Sequence, residues 1–138
     1  MIDDVIDRWH RYRRSGLPDA LEELLDDDVT YYSPVDDTPV FGKQLATRHL
    51  LAAAGIFPHG AAAGFDRAVS RFRYTKQVVA GDTAALEFEA DLYGIAVNGV
   101  DIIRCNNAGR IIEFRIFIRP LPALNAVQGR ARAAFEGL

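Results

Sequence analysis

The spacing of apolar residues predicts three helices in the first half of the chain. Apolar positions recur at helical intervals from residue 2 to residue 15, and Gly16 follows as a C-terminal cap. Pro18–Leu25 has a shorter helical pattern, in which proline suits the first turn and leucines recur behind it. The third pattern covers about Lys43–Ala54, where His49 is the polar member of an apolar stripe. Each helix therefore has one face to bury against another layer.

The rest of the chain favours strands, because Val, Ile, Phe and Tyr alternate there with polar residues. Within Asn98–Pro120 the pattern predicts two long strands joined by a turn at Asn106–Gly109, whose Asn and Gly residues suit turns. Gly55–Gly64 shows little periodicity and is expected to be a loop. The other predicted elements are strands at Val29–Ser33, Arg67–Ala80 and Thr83–Tyr93, and a weak helix at Leu124–Phe135.

Three carboxylates alternate with apolar residues in the predicted strand Thr83–Tyr93. Glu87, Glu89 and Asp91 share one face of it. Burying three unpaired carboxylates would be very costly, so we expect this face to be the outer one. Arginines of a neighbouring strand would then lie opposite the carboxylates, and the candidates are Arg115 and Arg119.

Asp101 lies amid Val100, Ile102 and Ile103 in the first arm of the hairpin. A carboxylate in such a strand lies on the wet face of the sheet or faces a cavity. On the first interpretation Asp101 pairs with an arginine such as Arg104 and does no chemistry. On the second it is a candidate acid or base, because burial makes a carboxyl group resist ionisation. What the protein does depends on this choice.

Composition narrows the class of protein. The chain has 138 residues, 49% of them hydrophobic and 25% charged, which fits one globular domain at 1–138. The net charge of −3 makes no electrostatic case for nucleic acid or an anionic membrane. No apolar run approaches the ~20 residues of a membrane span, and the acidic N-terminus is unlike a signal peptide. The single cysteine, Cys105, excludes an internal disulfide. We expect a cytoplasmic domain without metal or organic cofactor.

Two clusters of charged residues and a loop histidine are interpreted as parts of the surface without a role in binding or catalysis. Asp26, Asp27 and Asp28 lack a neighbouring histidine and the spacing of a calcium loop, so they are interpreted as a solvated turn. His59 is interpreted as a surface residue of its loop. The arginines at the end of the first helix are interpreted as a solvated helix end; they are Arg8, Arg11, Arg13 and Arg14.

The order of helix, helix, strand, helix and then hairpins is typical of an α+β fold. At this point the sequence resembles the nuclear transport factor 2-like superfamily, which includes ketosteroid isomerase, limonene epoxide hydrolase and the SnoaL-like polyketide cyclases. Three stretches carry the resemblance, which covers most of the chain: D-D-D-V-T-Y-Y-S-P, P-V-F-G-K and V-D-I-I-R-C-N-N-A-G-R-I-I-E-F. It implies a cystatin-like cone: a curved mixed β-sheet whose open side is covered by the N-terminal helices.

The resemblance to ketosteroid isomerase relates three catalytic positions of that enzyme to residues of this chain. Asp101, in V-D-I-I-R, matches an aspartic acid that points into the cone of the isomerase and donates a hydrogen bond while protonated. The position of the isomerase's general base holds Ser33, directly before Pro34, and its helix tyrosine falls at about Trp9. A serine hydroxyl cannot serve unaided as a proton shuttle near neutral pH. True ketosteroid isomerase activity is therefore not expected.

The SnoaL-like cyclases are similar in a different respect, since they use a cone aspartate with a nearby histidine and no cofactor. Asp101 matches that aspartate, and His49 is the candidate partner, because the third helix would lie over the mouth of the cone. Epoxide hydrolases of this fold need an Asp–Arg–Asp set. Asp101 and Arg104 are present, but no second inward aspartate is evident, which weakens that hypothesis.

Two classes of function are consistent with the same cone-shaped cavity. The first is an isomerase, cyclase or lyase acting on a small hydrophobic carbonyl compound, with Asp101 and His49 as catalytic residues. Its ligand-binding residues would be the polar Tyr31 and Ser33 and an apolar wall of Trp9, Phe88, Phe114 and Ile118. The second class is a non-catalytic domain that binds a hydrophobic ligand or dimerises. Tyr31 and Trp9 also fit simple core packing, which is favoured for Trp9.

A homodimer through the outer face of the sheet would accompany either class. Phe117 lies among Glu113, Arg115 and Arg119 on the predicted outer face, a mixture that suits an interface between two copies.

Overall fold

The computed structural model describes residues 1–59 and 71–136, with side chains up to residue 133. The elements in chain order are α1 (Ile2–Ser15), α2 (Pro18–Leu24), β1 (Leu25–Tyr32), β2 (Val40–Phe41), α3 (Lys43–Ile56), β3 (Arg73–Ala80), β4 (Thr83–Leu92), β5 (Ile95–Cys105), β6 (Ile111–Arg119) and α4 (Leu121–Glu136).

The strands form one six-stranded sheet in the order β2-β1-β6-β5-β4-β3. β1 runs parallel to β6, and the other neighbouring strands are antiparallel. Register shifts interrupt the pairs β1–β6, β3–β4 and β5–β6, and such bulges bend and twist a strand. Side chains of α1, α2 and α3 pack with those of the sheet in one core cluster. The predicted α+β fold, a curved mixed sheet covered by the N-terminal helices, is confirmed.

Helix α1 shows how local sequence specifies its element. Ile2, Val5, Ile6, Trp9 and Tyr12 form its buried stripe, as the periodicity predicts. Acidic residues occupy its first turn and basic residues its last, which matches the helix dipole. The residue after the helix, at position 16, has φ 70° and donates its backbone N–H to the carbonyl of Tyr12. Only glycine adopts that conformation without steric cost, so the predicted cap is confirmed.

The first strand is longer than the sequence predicts. β1 begins at Leu25 rather than Val29, because Leu25 pairs with Ile111 at the start of β6. Asp26, Asp27 and Asp28 therefore belong to a strand, and their interpretation as a turn is wrong. β3 begins at Arg73, where its pairing with β4 starts. The predicted strand residues 67–70 and loop residues 60–64 lie outside the described part of the chain.

The outer face of β4 carries the three carboxylates, as expected, while the alternate residues of the strand are buried. Their partners differ from the prediction. Glu89 forms an ion pair with Arg73 at 2.8 Å, and Glu87 accepts a hydrogen bond from Asn98. Arg115 instead pairs at 2.8 Å with Glu113 of its own strand. The difference arises because β4 lies between β5 and β3 in the sheet. The strand that carries Arg115 and Arg119, β6, is therefore not a neighbour of β4.

Two apolar clusters fill the space between helices and sheet. One joins the N-terminal helices to the sheet and contains Trp9, Tyr31 and Phe114. The other is built around Phe88, and it includes the helix α4 residues Ala123 and Val127. Tyr74 and Ile116 pack against both clusters, so the gap between them is bordered by a sheet on one side and by helices on the other.

Candidate functional site

A cavity of about 280 Å³ opens where the two apolar clusters meet. Its wall is formed by α1, β1 and the loop after it, α3, the inner face of the sheet, and α4. The structure brings every residue of the sequence-based site to this one wall: Trp9, Tyr31, Ser33, His49, Phe88, Asp101, Phe114 and Ile118.

Asp101 faces the cavity because of its register in β5. It lies between Leu86 of β4 and Ile116 of β6, and the alternation of the strand turns it inward together with Ile103. Only 5% of its surface is exposed. Burial raises the pKa of Asp101 to about 7; the hydrogen bond from Tyr74 and the charge of Arg13 oppose this rise but are weaker. Near neutral pH both the protonated and the ionised carboxyl are therefore populated.

The interpretation of Asp101 as a sheet carboxylate paired with Arg104 is wrong. Arg104 points to the outer face, where its guanidinium lies 3.5 Å from the carboxylate of Glu113. Arg104 is thus not available as the arginine of an Asp–Arg–Asp set inside the cone, which further weakens the epoxide hydrolase hypothesis.

A chain of hydrogen bonds crosses the floor of the cavity from α1 to β5. Trp9 Nε1 donates to Tyr74 Oη at 2.9 Å, and Tyr74 Oη donates to Asp101 Oδ2 at 2.8 Å. The direction is fixed, because an indole N–H can only donate and so directs the phenol proton to the carboxylate. The bond uses Oδ2 and leaves Oδ1 as the oxygen for a ligand. Trp9 therefore has a polar role as well as a packing role, beyond the core packing favoured from sequence.

His49 shares the cavity with Asp101, but among the described residues it is Tyr74 that hydrogen-bonds to this carboxyl. The His49 ring packs against Tyr31 with 5.4 Å between ring centroids. Burial is the main reason that the pKa of His49 is lowered; Asp36 opposes this effect and Arg48 adds to it. At neutral pH His49 is thus a neutral imidazole, which can accept a proton.

Tyr31 and Ser33 follow each other along the inner face of β1 and its extension. Tyr31 is buried, and burial raises its pKa, with a further contribution from the charge of Asp101. Its phenol therefore stays protonated and can donate a hydrogen bond. Ser33 Oγ accepts the backbone N–H of Val35 at 3.2 Å, which stabilises the bend at Pro34.

The remaining predicted residues form the apolar wall. Phe114 lies in β6 with its ring centroid 4.8 Å from that of Trp9, and Ile118 follows on the same face. Phe88 lies in β4 and stacks with Phe72 at 5.0 Å. An apolar wall lowers the local dielectric constant, which strengthens electrostatic interactions next to it.

Sequence reasoning missed five polar residues of the wall, which are Arg13, Asp36, Tyr74, Gln128 and Arg132. Of these, Tyr74 and Arg13 act on the pKa of Asp101. Tyr74 belongs to β3, whose alternation is loose because the register shifts after it. Arg13 was grouped with a solvated helix end, yet only 5% of its surface is exposed. A signal was present for Arg13, since it follows Trp9 by four residues and so continues the buried stripe of α1.

The described residues form neither a cluster of metal ligands nor a helix that could span a membrane. Within residues 1–59 and 71–136, no group of three or more His, Cys, Asp or Glu residues is arranged to hold a metal ion. None of the helices described has the length and apolar character needed to cross a bilayer.

Comparison with solved structures identifies the same architecture elsewhere. The chain matches a steroid delta-isomerase from Pseudomonas aeruginosa with a TM-score of 0.87 and 23% identity, over 99% of this chain and 92% of the other. It matches an uncharacterised bacterial protein with a cystatin-like fold from Silicibacter pomeroyi with a TM-score of 0.80 and 25% identity, over 94% and 83%. A proposed polyketide cyclase from Sinorhizobium meliloti matches with a TM-score of 0.59 and 17% identity, over 82% and 93%.

Comparison by sequence adds no assignment: no protein-family model and no curated protein matches the chain. At these identities the structural matches show a shared fold, and a fold of this kind hosts many functions.

Proposed function

Since the chain has the nuclear transport factor 2-like fold, shared with the steroid isomerase and NTF2-like structures that it matches, we propose that it is a cofactor-independent isomerase, cyclase or lyase. Its substrate is a small hydrophobic carbonyl compound bound in the cavity. The observation that carries the proposal is Asp101, a carboxyl group enclosed by apolar walls whose pKa is raised to about 7. A buried acid whose pKa is shifted and which lies in a cavity is a candidate for proton-transfer chemistry.

The chemistry divides between two groups. His49, neutral because burial lowers its pKa, accepts a proton from the carbon next to the substrate carbonyl. The C–H electron pair forms the enol double bond, and the carbonyl oxygen gains negative charge. Protonated Asp101 donates its O–H to that oxygen and stabilises it. Return of the proton to another carbon completes an isomerisation, attack of the enolate on a second carbonyl completes a cyclisation, and loss of a β-substituent completes an elimination.

The size of the cavity narrows the substrate. Its volume of about 280 Å³ is roughly twice the ~150 Å³ of a cavity that accommodates benzene. Two fused rings fit that space better than the four rings of a steroid. The position before Pro34 also lacks a carboxylate base, since Ser33 occupies it and its hydroxyl serves the turn. Steroid isomerisation, the activity named for the Pseudomonas aeruginosa structure, is therefore not the reaction proposed here.

The test is α-proton exchange on a two-ring ketone. 1-Tetralone is incubated with the protein in deuterated buffer, and loss of its C2 proton signal is followed by NMR. We expect Asp101→Asn and His49→Gln each to slow the exchange ~10²–10⁴-fold, the usual contribution of a positioned acid or base. Asp91→Asn makes the same chemical change on the outer face and should leave the rate unchanged. The rate should peak between the lowered pKa of His49 and about pH 7, where Asp101 ionises. Exchange equal to that of buffer alone would refute catalysis.

The alternative proposal is a non-catalytic domain that holds a hydrophobic ligand, favoured by the apolar residues that dominate the cavity wall. The same samples distinguish the two. A thermal shift with 1-tetralone that is not accompanied by α-proton exchange supports binding alone.

We also propose that the outer face of the sheet joins two copies of the chain. Phe117 and Val78 are 51% and 53% exposed there, unusual values for large apolar side chains within a sheet. Both line a shallow groove with Arg119 and Glu87, which would place an apolar centre within a charged rim.

A further inference from the structure

The cavity contains a buried cation that the proton-transfer chemistry does not use. Arg13 points from α1 into the wall, with only 5% of its surface exposed. Its Nη2 donates a hydrogen bond to the backbone carbonyl of Phe57, and its guanidinium lies 4.6 Å from the centre of the Phe72 ring. These contacts hold the guanidinium plane in one orientation. A guanidinium has five N–H donors, so most of them remain for other partners.

No carboxylate of the described residues lies within ion-pair distance of Arg13. Burying a charge is costly unless it is paired. Asp101 lines the same cavity but does not form that pair, since its hydrogen bond comes from Tyr74. Besides Arg13 and Asp101, the charged residues at the described wall are Asp36 and Arg132, both exposed at the rim, while His49 is neutral there. Among the described residues of the wall, Arg13 is therefore a buried cation without a paired carboxylate.

We infer that Arg13 binds a carboxylate of the substrate, so that the compound is a small keto acid or related carbonyl acid rather than a neutral ketone. This inference rests on the proposed function, because it concerns the same cavity. A guanidinium matches a carboxylate with two parallel hydrogen bonds. A single buried cation balances a monoanion, whereas a phosphate dianion would need a second one. The substrate then contacts Arg13 through its carboxylate and Asp101 through its carbonyl, since both residues line the same cavity.

The test uses two ligands of nearly equal shape that differ in charge, 2-naphthoate and 2-naphthamide, with dissociation constants measured by calorimetry. We expect wild type to bind the naphthoate at least ~10-fold more tightly, since hydrogen bonds to charged groups are the strong ones. Arg13→Met should abolish the preference, and Arg13→Lys should retain part of it. Replacing a buried charge by an apolar side chain of similar volume is often tolerated, so Arg13→Met is expected to fold.

Equal affinity of wild type for the two ligands would overturn the inference, and this comparison needs no variant to fold. A preference for naphthoate that survives in folded Arg13→Met would overturn it as well, because the anion would then bind elsewhere. The proposed function is tested separately by 1-tetralone, which has no carboxylate. Exchange of 1-tetralone that depends on Asp101, together with equal naphthoate and naphthamide binding, would refute the acid subsite and leave the proton-transfer function standing.

Discussion

Replacing Asp101 by Asn should change how the stability of the protein depends on pH. The folded state binds the Asp101 proton more tightly than the unfolded state, because the pKa rises from 3.8 to about 7 on burial. Asp101 therefore makes its full contribution to the free energy of unfolding of wild type below about pH 4. This contribution falls progressively between about pH 4 and 7 and falls no further above pH 7. Asparagine has the same shape and cannot ionise, so it does not suffer this loss.

The expected size follows from the shift. A difference of roughly three pKa units, at 1.36 kcal/mol each, corresponds to about 4 kcal/mol. The free energy of unfolding of Asp101→Asn minus that of wild type should thus increase by about 4 kcal/mol between pH 4 and pH 8. Urea denaturation followed by circular dichroism at intervals of one pH unit measures it. The histidines are common to both proteins, so their contributions cancel in the difference.

Glu89→Gln is the matched control, since it makes the same change from carboxylate to amide on the outer face. Its partner Arg73 and Glu89 itself are both about half exposed, and exposed pairs contribute little, so we expect a pH-dependent change of at most ~0.5 kcal/mol. If the difference between Asp101→Asn and wild type is the same at pH 4 and pH 8, Asp101 titrates equally in the folded and unfolded states. The argument from desolvation would then be wrong.

Three further predictions concern single contacts. Tyr74→Phe removes the hydrogen bond that lowers the Asp101 pKa, so carbon-13 NMR of this carboxyl should show a pKa above that of wild type, and an unchanged or lower value would contradict the assignment. Gly99→Ala should lower the free energy of unfolding, measured by urea denaturation, by about 1–3 kcal/mol, because its Cβ would overlap the Phe88 ring and the Phe117 carbonyl. Gly55→Ala, which has open space around it in α3, should instead raise the free energy of unfolding by about 0.5–1 kcal/mol. Equal effects of the two substitutions would refute the packing argument. Phe117→Glu should convert a dimer into a monomer in size-exclusion chromatography with light scattering, and a wild-type monomer would refute the interface.

The sequence alone determined most of the fold. Helix α1 was predictable because its apolar stripe and Gly16 are local signals, and β4 because its alternation is strict. The fold implied by the resemblance to the nuclear transport factor 2-like superfamily, carried by the motifs around β1, α3 and the β5–β6 hairpin, is confirmed by the solved structures that match. The extent of β1 was missed, because its first residues pair with the distant β6.

The site was predictable only in part. The residues Asp101 and His49 were candidates from the sequence, and the structure places them on one cavity wall, while their catalytic roles stay predictions. Extension of the domain over the whole of 1–138 also stays a prediction, as does its cytoplasmic location. The β5 alternation alone could not decide whether Asp101 faces inward, since both faces of that strand carry apolar residues.

The tertiary structure decided which groups Asp101 and Arg13 meet. Local periodicity states which side chains share a face, because it depends only on the geometry of one helix or strand. It does not state which strand lies next to which, nor where a bulge shifts the register. Tyr74 reaches Asp101 from β3 across the sheet, and Arg13 reaches the cavity from α1, so both contacts depend on how distant elements pack. The pKa of Asp101 follows from that packing, because desolvation is a property of the assembled core and not of any segment within it.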